Sequence, residues 1–249
     1  MIDTHCHILP GVDDGPATFQ QALQMAKLAL ADGITAIVAT PHVIDKNLSR
    51  SSLNASVSRF NERLSELGIP LEIVSGGEFS LLLDPMWVKN YCINNGKYVL
   101  VEFPHTHLPK TALEQLYVIN MQGLVPIIAH PERNPSILRN PDLLLELMEA
   151  NVMVQVTAGS LCGNFGRNEQ QCARYLIKND MVHILASDAH DHKYRKPILS
   201  KGLKIATKLI GKERALKLVF DNPRAVVYGE AHEGAFVPSE SIAHSSYAF

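Results

Sequence analysis

The chain opens with MIDTHCHILPGVDDG (Met1–Gly15), a short apolar lead-in that carries two histidines one position apart. Because successive side chains of a strand point to opposite faces, we expect His5 and His7 to point together at one site. Gly11 and Gly15 bracket Asp13 and Asp14 in the turn that follows, which can aim a carboxylate back at the same site. This stretch predicts part of a metal centre at a strand end, although an isolated H-x-H pair is equally compatible with two ordinary histidines.

The composition of the chain limits its fold and its partners. With 249 residues, of which 46% are hydrophobic and 19% charged, it has enough material for one α/β barrel or two smaller domains. A net charge of −2 offers no basic surface for nucleic acid or for an anionic membrane. The first strand starts at Met1 and no apolar run is long enough to span a bilayer, so we expect a cytoplasmic protein without direct membrane insertion.

The four cysteines, Cys6, Cys92, Cys162 and Cys172, include no C-x-x-C pair. We therefore expect free thiols, and neither a disulfide framework nor a zinc knuckle. A cysteine-based tyrosine phosphatase needs a C-x5-R loop around the phosphate, and the stretch from Cys162 to Arg167 is one residue short of it. The cysteines thus argue against a thiolate nucleophile.

Apolar, β-branched runs alternate with helical patterns along the chain. The predicted strands lie in the opening stretch and in ITAIVATPH, LEIVSGGE, YVLVEFP, VPIIAHPER, VMVQVTAGS and VHILASDAH. The predicted helices cover 17–32, 48–67, 84–94, 108–122, 140–150, 169–179, 198–210 and 213–220. Strands separated by helices pair in parallel through right-handed crossovers, and seven such units favour a closed α/β barrel over an open sheet.

Polar residues lie at or just after the predicted C-terminal ends of these strands, where barrel enzymes build their active sites. They are His5, His7, His42, Glu78, Glu102, His130, Asp188 and His190. Together with the preceding aspartate turn they exceed what one tetrahedral ion needs, so they predict a cluster of two or three metal ions. Imidazole and carboxylate ligands without thiolate suit Mn²⁺, Fe²⁺ or Zn²⁺, and such clusters favour hydrolysis of phosphate esters.

Two arginines follow closely after predicted ligands. Arg133 lies three residues after His130, and Arg195 lies five residues after His190. A guanidinium group binds phosphate oxygens in a bidentate manner, so we predict that both arginines hold the phosphate of the substrate. Taken singly, each arginine is more typical of a surface charge, but their shared position beside ligands favours the catalytic interpretation.

The motifs MIDTHCHILPGVDDG, ATPH, GGE, EFP, AHPER and SDAH, in this order and spacing, resemble those of the polymerase-and-histidinol-phosphatase (PHP) superfamily. Within it the chain is most similar to the bacterial manganese-dependent protein-tyrosine phosphatases of capsule and exopolysaccharide operons. The resemblance covers residues 1–229 and implies one domain with a distorted (β/α)7 barrel. Residues 230–249 form a polar tail that we expect either to be disordered or to dock on a neighbouring subunit of a homo-oligomer.

The resemblance also implies a cofactor and a substrate. The cofactor would be three divalent metal ions, with Mn²⁺ as the first choice and Fe²⁺ or Zn²⁺ as alternatives. The first ion would be held by His5, His7, Glu78 and Asp188, the second by Asp14, His42 and His190, and the third by Glu78, Glu102 and His130. The substrate would be phosphotyrosine on the tail of a bacterial tyrosine kinase that regulates polysaccharide polymerisation and export.

Three other functions stay open at this point. A PHP small-molecule phosphatase, such as one acting on histidinol phosphate, would use the same ligands. An amidohydrolase barrel also begins with H-x-H but usually carries a metal-bridging lysine and lacks the final S-D-A-H. A non-catalytic regulatory barrel would have lost ligands, which this chain has not. The chain departs from the family in reading Glu78-Phe79-Ser80 where an arginine often follows the bridging glutamate, and this bears on substrate preference.

Overall fold

The computed structural model describes residues 1–45 and 47–229, and within them it shows an α/β fold with nine short strands. These are β1 (Ile2–Cys6), β2 (Ala36–Ala39), β3 (His42–Val43), β4 (Glu72–Ser75), β5 (Glu78–Ser80), β6 (Tyr98–Glu102), β7 (Val125–Ala129), β8 (Met153–Thr157) and β9 (Ile184–Ala186). They form two sheets, in the orders β1-β2-β4 and β3-β5-β6-β7-β8-β9, and every pairing is parallel. The prediction of an α/β protein with parallel strands is confirmed. The predicted tail, 230–249, lies outside the described residues.

Ten α-helices of the described residues connect and cover the strands. They are α1 (Phe19–Ala31), α2 (Arg50–Glu66), α3 (Ala112–Met121), α4 (Pro135–Arg139), α5 (Leu143–Met148), α6 (Ala158–Cys162), α7 (Arg167–Lys178), α8 (Ser200–Ile210), α9 (Lys212–Lys217) and α10 (Asp221–Tyr228). Three 3₁₀ helices span Pro85–Tyr91, Ile93–Asn95 and Pro131–Arg133. The predicted helices at 17–32 and 48–67 are confirmed with shorter bounds, because Thr18 and Ser49 accept hydrogen bonds as N-caps. Among the described helices, none has the length and apolar character needed to traverse a membrane.

Two of the seven predicted strands are each divided into two. The run ITAIVATPH forms β2 and β3, which are separated at Pro41, a residue that cannot donate a ladder hydrogen bond. The run LEIVSGGE forms β4 and is interrupted at Gly76, where a Cβ atom would lie 2.7 Å from Val38 Cγ1. Glu78 therefore opens β5 instead of ending the preceding strand. At each break the chain leaves one sheet and joins the other, since β2 and β4 pair in the first sheet and β3 and β5 pair in the second.

Three helices begin or occur where the sequence pattern did not predict them. The predicted strand VMVQVTAGS ends at Thr157, and its last three residues begin α6, which closes at Gly163 with a positive φ. The helix α4 precedes α5, and α10 follows the two predicted C-terminal helices. A short apolar run at a junction does not reveal by its periodicity whether it continues as strand or turns into helix.

The first and last strands of the chain meet at their C-terminal ends. Cys6 forms an isolated parallel bridge with Ala189, just beyond β9. The backbone N–H of His7 donates to Ala189 O at 2.8 Å, and the N–H of Asp188 donates to His5 O at 2.8 Å. These bonds bring the H-x-H motif next to the S-D-A-H motif.

Both faces of the strands are covered by apolar side chains. Ile37 and Val99 belong to the main core, which also contains the inner faces of the helices. Val38 and Leu100, one position further along, belong to a second buried cluster that includes Val226 of α10. This double burial is typical of parallel sheets and leaves the strand ends as the place for polar side chains.

Candidate metal centre

All nine predicted ligands lie in one cluster, which is built from the C-terminal ends of β1, β6, β7 and β9, the first residues of β3 and β5, and the turn after β1. Their ligand atoms form four overlapping groups, within each of which the atoms are less than 4.8 Å apart. The groups are His7, Asp14, His42 and His190; His5, Glu78 and His130; His5, His7 and Asp188; and His42, Glu78 and Glu102. Residues separated by up to 185 positions are thereby brought together by the strand order alone.

The H-x-H pair points to one place, as strand alternation predicts. The Nε2 atoms of His5 and His7 are 3.2 Å apart, and both residues are fully buried. Each Nδ1 atom is held from behind, in His5 by Gln155 Oε1 at 2.9 Å and in His7 by Asp13 Oδ2 at 2.6 Å. A hydrogen bond at Nδ1 fixes the tautomer and leaves Nε2 for a metal ion.

Glu78 is the centre of the cluster. Its Oε1 lies 3.0 Å from His130 Nε2 and 3.3 Å from His5 Nε2, and its Oε2 lies 3.0 Å from His42 Nδ1 and 3.3 Å from His7 Nε2. Burial would raise the pKa of this carboxyl, but the surrounding imidazoles outweigh burial and hold the pKa well below its usual range. An ionised carboxylate with both oxygens directed at ligand groups is suited to bridging two cations.

Asp188 divides its two oxygens between imidazoles and arginines. Its backbone is left-handed, with φ 51°, and its Oδ1 lies 3.4 Å from His5 Nε2. Its Oδ2 accepts from Arg133 Nη1 and, at 2.7 Å, from Arg195 Nη2. Burial opposes ionisation, but the neighbouring positive charges hold the pKa of Asp188 well below its usual range. Both predicted phosphate-binding arginines thus lie at the edge of the cluster.

The exposed side of the cluster is formed by Asp14 and two histidines. Asp14 Oδ1 lies 3.3 Å from His190 Nε2 and 3.6 Å from His42 Nε2. The Asp14 side chain is 62% exposed and that of His42 is 24% exposed, whereas Glu78 is buried. The cluster therefore opens to solvent on the side of Asp14.

Glu102 and His130 complete the cluster at the ends of β6 and β7. His130 Nε2 lies 3.4 Å from Glu102 Oε1. Burial and the nearby charge of Arg133 lower the pKa of His130 to about 4, and burial together with the charge of Glu78 raises the pKa of Glu102 to about 7. The low pKa of His130 favours the neutral imidazole, which is the form in which histidine binds a metal ion.

The donor set fits divalent cations. Three buried atoms of the cluster make no hydrogen bond within residues 1–45 and 47–229, although imidazole or carboxylate atoms lie near them. They are Glu78 Oε2, Glu102 Oε1 and His190 Nε2. Buried polar atoms without hydrogen bonds are costly unless another partner is available. Mixed imidazole and carboxylate ligands without a thiolate are the donors that Mn²⁺, Fe²⁺ and Zn²⁺ accept.

Several residues that support the cluster were not predicted as site residues. Asp3 accepts from Ser187 N at 2.9 Å and from Ser187 Oγ at 2.5 Å, and so ties β1 to the segment after β9. Strand alternation places Asp3 on the same face as the H-x-H pair, and this was the signal that could have identified it. Asp13 shares its predicted turn with Asp14, whereas Gln155 and Phe165 carry no comparable signal, because only the folded chain brings them beside the histidines and arginines.

Residues 1–228 match the family model for capsular polysaccharide synthesis, CpsB/CapC. The chain is 37% identical over 220 residues to the tyrosine-protein phosphatase YwqE of Bacillus subtilis (strain 168), and the match covers 86% of each chain. It is 30% identical over 247 residues to the tyrosine-protein phosphatase CpsB of Streptococcus agalactiae serotype III (strain NEM316), covering 91% of this chain and 98% of that one. These similarities extend over almost all of the described residues.

Solved structures resemble this chain to different degrees. A chain from the crystal structures of YwqE from Bacillus subtilis and CpsB from Streptococcus pneumoniae, metal-dependent tyrosine phosphatases, matches with a TM-score of 0.85 and 35% identity, covering 91% of this chain and 94% of that one. Histidinol phosphate phosphatase from Lactococcus lactis matches with a TM-score of 0.53 and 14% identity, covering 86% and 94%. At that identity the second likeness shows a shared fold alone.

Proposed function

The chain belongs to the CpsB/CapC family of capsular polysaccharide synthesis, and on this basis we propose that it is a metal-dependent phosphatase that hydrolyses phosphotyrosine. The tyrosine-protein phosphatases among its relatives support this activity. The observation that carries the proposal is the convergence of nine imidazole and carboxylate side chains around the buried carboxylate of Glu78. Likeness to histidinol phosphate phosphatase extends to the fold alone, so phosphotyrosine is the substrate we favour.

The proposed cofactor is a set of three divalent cations, with Mn²⁺ as the first choice. The ligands would be His5, His7, Glu78 and Asp188 for one ion, Asp14, His42 and His190 for the second, and Glu78, Glu102 and His130 for the third. The close spacing of these ligand atoms supports the assignment. When bound, the cations would polarise the phosphoryl oxygens and lower the pKa of water.

Arg133 and Arg195 would bind the phosphoryl group beside the cations. Both guanidinium groups contact Asp188 and stay partly exposed, at 18% and 32% of their side chains. The Nε atom of Arg195 makes no hydrogen bond to another described residue, so the guanidinium group keeps donor capacity beyond its two bonds to Asp188. A rigid pair of guanidinium groups matches the geometry of a phosphoryl group better than lysines would.

The thiols support a mechanism without a cysteine nucleophile. Burial raises the pKa of Cys6, Cys92, Cys162 and Cys172, and the pKa of Cys172 reaches about 12. A reactive cysteine needs the opposite shift, because the thiolate is the nucleophile. Hydrolysis by this chain would therefore rest on the metal centre.

The proposed substrate is phosphotyrosine on the tail of a bacterial tyrosine kinase that controls polysaccharide synthesis. The family description and the names of the relatives support this choice. We place the reaction in the cytoplasm, where an ATP-dependent kinase would be phosphorylated.

The proposed architecture is a single distorted (β/α)7 barrel over residues 1–229. The bridge between Cys6 and Ala189 supports closure of the strand series. The paired pieces β2 with β3, and β4 with β5, would each count as one interrupted barrel strand. Active sites of such barrels lie at the C-terminal ends of the strands, in agreement with the position of the cluster.

The variant Glu78→Gln tests the proposed function. The amide keeps the shape of the side chain but loses its charge and one acceptor, so we expect loss of bound metal and a fall in kcat of at least about 100-fold. The matched control is Glu62→Gln, at an exposed glutamate of α2, and it should keep the native metal content and the native kcat. Elemental analysis and phosphotyrosine turnover measure the two effects. Native metal content and rate in Glu78→Gln would remove Glu78 from the metal centre and contradict the proposal.

A further inference from the structure

A pocket of about 360 Å³ lies directly beside the metal centre, on the side of α6 and α8. Asp188 and Arg195 form its boundary with the centre, and Phe165 forms part of its wall. Its volume falls in the range of small-molecule sites, about 300–1,000 Å³. The metal ligands alone do not require this space.

The lining of the pocket is strongly basic. Lys193, Lys196 and Lys201 line it together with Arg195, and Asp188 is the only acidic residue of the lining. That carboxylate is already bound by two arginines, and none of the three lysines forms a salt bridge within the described part of the chain. Because the whole chain carries a net charge of −2, this concentration of uncompensated positive charge is a local feature.

The residues that present these charges are held by backbone hydrogen bonds. Asp191 Oδ1 accepts from the backbone N–H groups of Lys193 and Tyr194 at 2.5 Å each, and its Oδ2 accepts from Arg195 N at 3.1 Å. This turn directs Arg195 towards Asp188 and leaves Lys193 on the pocket side. Asp191 thus fixes the backbone from which Lys193 and Arg195 extend towards the pocket.

The opposite wall is closely packed. A Cβ atom at Gly159 would lie 2.9 Å from Phe165 Cε2, so the ring rests directly on the backbone of α6. The same ring lies 4.6 Å from the Cζ atom of Arg133 and 5.7 Å from that of Arg195. Phe165 therefore connects the pocket to the two arginines that would bind the reacting phosphate.

We propose that this pocket is a subsite for a second anionic group of the substrate, carried by a residue close to the phosphotyrosine. The proposal rests on the proposed function, because it places the reacting phosphate at Arg133 and Arg195. Three lysines around a preformed pocket suit phosphate or carboxylate oxygens, and lysine binds such groups as a point charge without demanding one geometry. The enzyme would then prefer acidic or multiply phosphorylated segments over isolated phosphotyrosine.

The test compares charge-removing variants on substrates of different charge. Lys193→Gln, Lys196→Gln and Lys201→Gln are combined in one protein. Lys204→Gln, Lys208→Gln and Lys212→Gln are combined in the control, which removes the same charge from exposed positions outside the pocket lining. The substrates are p-nitrophenyl phosphate and three phosphotyrosine peptides, one with neutral flanks, one with flanking glutamates and one with a second phosphotyrosine.

We expect the pocket variant to lose about tenfold more kcat/KM on the glutamate or doubly phosphorylated peptide than on p-nitrophenyl phosphate, mainly through KM. The control variant should have the native kcat/KM on all four substrates. If the pocket variant loses more kcat/KM on the glutamate peptide, the preferred anion is a carboxylate. If it loses more on the doubly phosphorylated peptide, the preferred anion is a phosphate. An equal loss on all substrates, or no loss on both acidic peptides, would overturn the subsite.

Binding gives a readout that does not depend on turnover. Fluorescence anisotropy of the labelled doubly phosphorylated peptide, measured in the presence of a chelator, should show weaker binding to the pocket variant than to the control variant by several-fold. Equal affinity for both variants would contradict the subsite even if the native protein hydrolysed phosphotyrosine. Absence of hydrolysis by the native, metal-loaded protein would instead contradict the proposed function.

Discussion

Among single residues, Asp13 is predicted to support the proposed metal centre through hydrogen bonds to two of its ligands. Its Oδ2 accepts from His7 Nδ1 at 2.6 Å and from His42 N at 3.0 Å, and so orients two proposed ligands at once. Loss of such a supporting carboxylate typically lowers metal affinity by about 10–100-fold. We expect this loss in Asp13→Asn, measured by titration of the metal-free protein with Mn²⁺.

The control for this prediction is Asp142→Asn, at an exposed aspartate outside the cluster whose Oδ1 accepts from the hydroxyl of Tyr175. It should bind Mn²⁺ with native affinity. Native affinity in Asp13→Asn as well would show that His7 and His42 are oriented by the rest of the fold.

The two arginines are predicted to act on the phosphate without binding metal. In Arg133→Lys and Arg195→Lys the charge remains but the planar fork is lost, so we expect a higher KM and a lower kcat in each. Because both guanidinium groups also hold Asp188, the comparison must be made at full metal loading, verified by elemental analysis. Native kcat, KM and inhibition by phosphate in both variants would exclude these arginines from phosphate binding.

Predicted strand ends and motifs identified eight of the nine proposed ligands from the residues themselves, and the family resemblance singled out Asp14 within its turn. The sequence did not identify Gln155 or Phe165 as site residues, since their roles depend on contacts with residues distant in the chain, and the turn pattern alone did not distinguish the role of Asp13 from that of Asp14. Gln155, for example, is one polar side chain in the apolar strand β8, and it binds His5 from 150 positions away. Periodicity describes which face a residue takes, but not which partner it meets there.

Among the elements, the contact between α6 and α8 can be tested by whether a glycine-to-alanine substitution raises or lowers the free energy of unfolding. In an open helix, replacing glycine with alanine stabilises by about 0.5–1 kcal/mol. At Gly202 a Cβ atom would lie 2.7 Å from Ala158 Cβ and 2.9 Å from its Cα, so alanine would force the helices apart. We expect Gly202→Ala to lower the free energy of unfolding by about 1–3 kcal/mol, measured by urea denaturation.

Lys204→Ala on the exposed face of the same helix is the control and should change the free energy of unfolding by less than about 0.5 kcal/mol. A Gly202→Ala protein as stable as the native one, or more stable, would show that α8 can move away from α6 without cost.

The order of strands and helices was predictable because buried β-branched runs alternate with amphipathic patterns. The divisions at Pro41 and Gly76 were visible as residues, but the sequence did not show that each would transfer the strand to another sheet. This outcome depends on the neighbouring strand, as the contact between Gly76 and Val38 illustrates. The beginning of α6 inside a predicted strand has a similar explanation, because tertiary packing decides whether a short apolar run forms a strand or a helix.

For the whole molecule, the central feature is that residues from position 5 to position 190 form one cluster. The meeting of β1 with the segment after β9 makes this possible, and both segments carry proposed ligands at that junction. Sequence order predicted that these groups would share one end of the fold, whereas their distances and the division of Asp188 between imidazoles and arginines required the folded structure.

The most direct test of metal-dependent phosphotyrosine hydrolysis is the rate of phosphate release from a phosphotyrosine peptide by chelator-treated protein, before and after Mn²⁺ is added back, with histidinol phosphate as the competing substrate. We predict that the metal-free protein releases no phosphate above background and that addition of Mn²⁺ restores the release. We also predict a kcat/KM for the peptide at least about tenfold above that for histidinol phosphate, which corresponds to about 1.4 kcal/mol in transition-state stabilisation. Full activity of the metal-free protein, or a preference for histidinol phosphate, would contradict the account.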